Sequence, residues 1–113
     1  MKTTDREQKP FSVGVLSVVK HDYLPRAIAA HPRFNLSFVT DEISRPQWTH
    51  ERNQKFADEF EIPYIKDIDK ALSENKIDAV AVSPEAERHC DLAVIAAEAG
   101  LHIVIDKPLS TKL

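Results

Sequence analysis

"SVGVLSVVKHDYLP", residues 12–25, is the stretch on which the reading of the fold turns. With Phe11 in front, residues 11–17 form a short, nearly continuous apolar run. That is the pattern of a strand buried on both faces, not of one with a wet side. Asp22 is of the type that N-caps a helix, and Pro25 fits a helix's first turn. A strand therefore runs through a turn straight into a helix. The turn carries no glycine after Gly14, and the whole chain of 113 residues has only two, so each glycine present or missing is informative.

Working outward, the helix is expected to end before Pro32. Residues 34–40, "FNLSFVT", read as a second strand and "ISRPQ" as a loop. A helix is expected from about Trp48 to Phe60, with Phe56 and Phe60 one turn apart. "IPYI" (62–65) is a short third strand, and Ile68, Ala71 and Leu72 mark a brief helix. "IDAVAVS" (77–83) reads as a fourth buried strand. Leu92, Ile95, Ala96 and Ala99 give the stripe of another helix, closed by Gly100, and "LHIVID" (101–106) is a fifth strand. Strands alternating with helices in this way specify a doubly wound α/β domain, a parallel sheet covered on both faces by right-handed crossovers.

Composition narrows the class. At 42% hydrophobic and 29% charged the chain is an ordinary globular one, long enough for one core. Its net charge of −3 argues against a nucleic-acid or anionic-membrane surface. The single Cys90 excludes an intramolecular disulfide and a cysteine-rich zinc site. No apolar run reaches membrane-spanning length, and "MKTTDREQKP" lacks the apolar segment of a secretory signal, so a cytoplasmic protein is expected. His31, His50 and His102 show no ligand spacing, so no metal is expected.

Ligands of such sheets bind beyond the carboxyl ends of the strands, which here are Ser17–Asp22, Asp41, Ser83–Glu85 and Asp106–Pro108. Asp41 ends strand two at the spacing at which an acid accepts hydrogen bonds from the adenosine ribose of a dinucleotide. It would repel a 2′-phosphate and so favours NAD over NADP, with Arg45 nearby working the other way. Lys107, ahead of Pro108, is restricted to extended or turn geometry, which either aims it at the crevice or leaves it a solvated lysine in a turn. Trp48, Phe56 and Phe60 are read as core, and Cys90 as a buried, inert thiol.

These residues resemble the N-terminal domain of the Gfo/Idh/MocA oxidoreductases. "VGVL" is similar to the family's opening strand and "VTDE" to its second strand end. "SPEAERHCDLAVIAAEAGLHIVIDKPLS" resembles the stretch that ends in the family's EKP motif. The resemblance covers residues 11–110. It implies a Rossmann-like domain of strand order 3-2-1-4-5 that binds NAD, NADP not being excluded, and hydride transfer to or from a sugar, polyol or similar small molecule. It implies that Ser17, Val18, Val19 and Lys20 line the cofactor's phosphates. Ser83 and Pro84 would line the nicotinamide side, Asp106 would replace the family's Glu, and Lys107 would contact substrate and nicotinamide as the catalytic residue. Residues 1–10 are expected to be frayed, 11–108 to form the dinucleotide domain, and 109–113 to start a helix towards a second, α+β domain that the chain lacks. On that reading the chain is catalytically incomplete alone, and a homo-oligomer is possible while the oligomeric state itself is not legible.

One departure stands out. Where the family carries Gly-x-Gly-x-x-Gly, this chain has Ser17, Val19 and Asp22. The three glycines serve three separate ends, namely the tight turn, the close approach of backbone to pyrophosphate, and the packing of helix against strand. Val19 resists positive φ and would stand where phosphates sit, while Asp22 competes with them. Lys20 is the compensating feature. The glycine-free turn keeps a second reading open, a degenerate Rossmann domain that serves protein contacts. A flavodoxin-like signalling receiver would match Ser83 and Lys107-Pro108, but lacks the acids that such a domain needs after strands one and three.

Overall fold

A computed structural model describes residues 10–19, 22–83 and 88–105. The elements run β1 (Phe11–Val18), α1 (Tyr23–Ala30), β2 (Phe34–Thr40), α2 (Gln47–Glu59), β3 (Tyr64–Ile65), α3 (Ile68–Glu74), β4 (Ala79–Ser83), α4 (His89–Glu98) and β5 (His102–Ile105). The strands form one sheet in the order β3-β2-β1-β4-β5 with every pair parallel. This is the doubly wound, Rossmann-like architecture that the alternation specifies. The expectations placed on Lys20, His21, Pro84, Glu85, Asp106, Lys107 and residues 109–113, and on the Cys90 side chain, lie outside the described residues. Among those described, no helix is long and apolar enough to cross a membrane.

Each face of the sheet has its own core. Val13, Val15, Leu36 and Val39 pack on Ile28 of α1 and on Phe56 and Ala57 of α2. Leu16, Val80 and Val82 pack on Ile68 of α3 and on Leu92 and Ala96 of α4. The alternation along β1 breaks at its end. The register with β4 shifts between Leu16 and Val18, and Ser17 between them has φ 71. A residue inserted there turns Val18 to the same face as Val13 and Val15, where it joins their cluster.

α4 ends as its sequence requires. Gly100, at φ 77, donates to the Ala97 carbonyl, and Leu101 donates to that of Ala96. Those two bonds are the Schellman closure that a glycine permits. At α1 the expected side-chain cap is not made. The Asp22 carboxylate accepts instead from Arg26 Nε at 2.7 Å, while Arg26 reaches across to Glu59 of α2 at 2.5 and 2.7 Å. The charged partner one turn along outbids a neutral backbone N–H for the carboxylate. Arg26 also lies 5.6 and 5.4 Å over the Phe56 and Phe60 rings, and so ties α1 to α2.

Gly14 shows how tightly neighbouring strands meet, for Phe38 stands opposite it on β2. A Cβ added there would lie 2.5 Å from Phe38 Cζ, in a ring that is fully buried. Gly14→Ala is expected to destabilise the domain by about 1–3 kcal/mol, because a closed core has no room for the displaced ring. An unchanged urea midpoint would show instead that Phe38 can yield.

Candidate functional site

The strand ends meet in one polar network. Asp41 follows β2 directly and is fully buried. Its Oδ1 accepts from the Glu42 backbone N–H at 2.8 Å and from Arg88 Nη1 at 2.6 Å. Its Oδ2 accepts from Asn53 Nδ2 at 2.9 Å and from Arg88 Nη2 at 3.3 Å. A carboxylate offers about four lone-pair positions, and all four are filled. Arg88, immediately before α4, also donates to Ser17 Oγ and Glu42 Oε1, both at 3.1 Å. One guanidinium thus spans the ends of β1 and β2.

Asn53 of α2 extends the network. Its Oδ1 accepts from the Val18 backbone N–H at 2.8 Å, and its amide also donates to the Tyr64 hydroxyl at 3.1 Å. Tyr64 lies 2.6 Å from His50 Nδ1, and His50 Nε2 lies 3.3 Å from the Ile43 carbonyl. A carbonyl only accepts, so Nε2 donates to it, and in the neutral ring Nδ1 then takes the hydrogen of the tyrosine hydroxyl. Burial pushes the Tyr64 phenol up to about 12, so it remains neutral. Burial also works to raise the Asp41 carboxyl, but the Arg88 guanidinium, with help from Asn53 and the Glu42 N–H, outweighs it and holds Asp41 below the usual aspartate range.

The turn after β1 is held from α2. Asn53 takes the Val18 N–H, and Arg52 Nη1 donates to the Val19 carbonyl at 2.9 Å. Ser17 supplies the left-handed residue that a glycine would otherwise supply. Val19 does not adopt positive φ and its side chain is buried, so it packs inward. Ser83, fully buried, ends β4 in register with Val18.

Of the residues singled out in the sequence, Ser17 and Asp41 are therefore joined through Arg88, with Val18, Val19 and Ser83 beside them. Sequence reasoning missed Asn53 and Arg88. Asn53 had a signal: it interrupts the buried stripe Thr49–Asn53–Phe56–Ala57, where a polar residue must find a partner. Arg88 had none.

Beside the turn, a cleft of about 570 Å³ opens between α1 and α2, lined by Val18, Val19, Trp48, Arg52 and Lys55 among others. Trp48 is half exposed on it, contrary to the expectation of a core residue. Eight residues along a helix turn it by about 80°, so Trp48 leaves the face of Phe56 and joins that of Arg52, Lys55 and Glu59. Asp67, the acid that follows β3 and a poor candidate for a receiver's phosphoryl acceptor, caps α3 by accepting from the Lys70 N–H.

A parallel sheet of this order, with a left-handed turn after β1 and an acid closing β2, defines a Rossmann NAD(P)-binding domain of oxidoreductases. The sequence model described as the oxidoreductase family GFO_IDH_MocA, NAD-binding Rossmann fold, matches residues 13–113, and the chain belongs to that family. No curated protein matches the sequence at a significant level. Several solved structures resemble it. GenD2 from gentamicin A biosynthesis, in complex with NAD, has 23% identity and a TM-score of 0.75 over 90% of this chain and 28% of its own. The UDP-N-acetylglucosamine 3-dehydrogenase GnnA from Acidithiobacillus ferrooxidans has 27% identity and a TM-score of 0.69 over 88% and 29%. KijD10, a 3-ketoreductase from Actinomadura kijaniata in complex with TDP-benzene and NADP, has 26% and 0.73 over 91% and 31%. The chain thus spans about three-tenths of the length of these proteins.

The lowered Asp41 pKa has a definite sign. A folded value below the unfolded value of about 3.9 stabilises the fold above that pH, and the contribution is lost as pH falls through the folded value. Asp41→Asn is expected to cost about 3 kcal/mol at pH 7, because it removes the buried carboxylate that Arg88 forks onto and leaves the more exposed Glu42 as the guanidinium's remaining counter-charge. Its stability should also fall less steeply on acidification than that of the unaltered chain. Parallel acid limbs in denaturant titrations would remove Asp41 from the pH dependence.

Proposed function

We propose that this chain is the cofactor-binding portion of an oxidoreductase that transfers hydride between NAD and a CH–OH carbon of a sugar, polyol or similar small molecule. The observation that carries the reading is Ser17 at φ 71 beside a buried Asp41. Ser17 takes the left-handed conformation that the first glycine of a dinucleotide loop would take, which supports the reading. Ser17, Val18 and Val19 would lie along the pyrophosphate, with Lys20 as the countercharge, and Asp41 would take the ribose hydroxyls. Ser83 and Pro84 would face the nicotinamide. Asp106 and Lys107 would close the substrate side, Lys107 polarising the reacting oxygen.

The substrate class is supported by the relatives of at least 25% identity, one named for UDP-N-acetylglucosamine and one for ketoreduction with TDP-benzene bound. The bound cofactor supplies the hydride chemistry. The chain's own residues bind it, orient it and place Lys107. Because those relatives are about three times as long, residues 1–113 by themselves are proposed to bind the cofactor without turning over substrate.

Calorimetric titration with NADH and NADPH tests the reading. Lost backbone contacts to the pyrophosphate should weaken NADH by about 1–3 kcal/mol, or one to two decades relative to an intact glycine loop. NADPH should bind more weakly still. No heat from either nucleotide at millimolar concentration would overturn the proposal.

A further inference from the structure

Asp41 and Arg88 satisfy each other almost completely, and they do so where a ligand is expected. Nη1 donates to Asp41 and Glu42, and Nη2 to Asp41 and Ser17. On the carboxylate, two of the four positions belong to the fold itself, the Glu42 backbone N–H and the Asn53 amide. The other two are held by one long side chain reaching from the start of another helix, 47 residues away in sequence. Two is also the number of O–H donors on an adenosine ribose.

We propose that Arg88 is an internal competitor of the cofactor's adenosine ribose. Its guanidinium holds the two acceptor positions of Asp41 that the ribose hydroxyls require, and the dinucleotide binds fully only when Arg88 lets them go. This rests on the cofactor reading given above and adds to it the residue that sets the affinity. The exchange is balanced in hydrogen bonds, two N–H donors leaving and two O–H donors arriving. Glu42 makes it feasible. Its carboxylate already accepts from Arg88 at 3.1 Å, and its side chain is 42% exposed. A guanidinium released by Asp41 therefore keeps a charged partner nearer the solvent, and no bare cation is left in the crevice.

Apparent affinity falls by the fraction of molecules whose site is open, so a bridge that is open a tenth of the time weakens NADH about tenfold. Arg88→Lys keeps a positive charge near Asp41 but cannot fork between Asp41 and Ser17. It is expected to bind NADH about tenfold tighter than the unaltered chain, with a lower melting temperature. ADP-ribose should gain likewise. Nicotinamide mononucleotide, which has no adenosine ribose, should not. A brace with a purely structural role would lower stability and leave NADH unchanged or weakened, and that outcome overturns the proposal.

Should Arg88→Lys fail to fold, the unaltered chain still decides. Its Arg88 guanidinium protons, slow to exchange in the free state, should become fast on saturation with NADH in side-chain NMR, and protons that stay protected overturn the competitor. Absence of NADH binding by the unaltered chain and Arg88→Lys alike would bring down the cofactor reading itself. Binding by the unaltered chain with no gain in Arg88→Lys would bring down the competitor alone.

Discussion

A buried carboxylate without counter-charge is among the costliest things that a small domain can contain, and the upper end of this sheet is organised around avoiding one. Asp41 has no exposed surface, yet it is held ionised. That requires a cation and several N–H donors to converge on a strand end, and they come from three separate places: its own backbone, α2 and the start of α4. The apolar clusters on the two faces hold the helices against the sheet. They do not by themselves fix how the strand ends sit relative to one another. The polar network does, because a hydrogen bond fixes distance and direction where apolar contact fixes neither. From Ile43 through His50, Tyr64 and Asn53 to Asp41, Arg88 and Ser17, it links the ends of β1, β2 and β3 to the start of α4.

The glycine-free turn makes sense inside that network. A left-handed non-glycine residue costs roughly 1–2 kcal/mol, which must be offset locally. At Ser17 the offsets are visible. Its hydroxyl accepts from Arg88, the next N–H is taken by Asn53, the Val19 carbonyl is taken by Arg52, and Val18 pairs in register with Ser83. The turn is preorganised without glycine, but by means that occupy its polar groups. The Val18 N–H in particular points at a side-chain amide.

What the sequence made legible follows from periodicity. β2 lies where the run "FNLSFVT" places it, and β1 runs one residue past "FSVGVLS" because the irregularity at Ser17 prolongs pairing. β3 is shorter than "IPYI", since only Tyr64 and Ile65 reach the β2 edge. Asp22 and Trp48 depart from their expected places because a contact that no local preference registers decided each. Arg26 took the Asp22 carboxylate, and the α1–α2 cleft took the Trp48 ring. Asp41 was legible as an acid at a strand end. Its saturation was not, because Arg88 sits 47 residues away with no pattern around it.

These facts bear on one another through the state without ligand. In a cofactor site whose acid is open to solvent, the empty state is tolerable because water satisfies the carboxylate. Here the acid is sealed, and water is replaced by a guanidinium from the same chain. A fixed internal donor set satisfies the carboxylate without help from a nucleotide. On the proposed cofactor reading, whatever Arg88 contributes would have to be given up before a ribose contributed anything, since ligand and side chain would compete for the same atoms. A loop that offers fewer backbone donors and an acid that is already satisfied act in the same direction: both shift the balance from affinity towards a stable free domain. A glycine restored at position 17 alone would therefore address only half of the matter, because the acceptors of Asp41 would still be occupied.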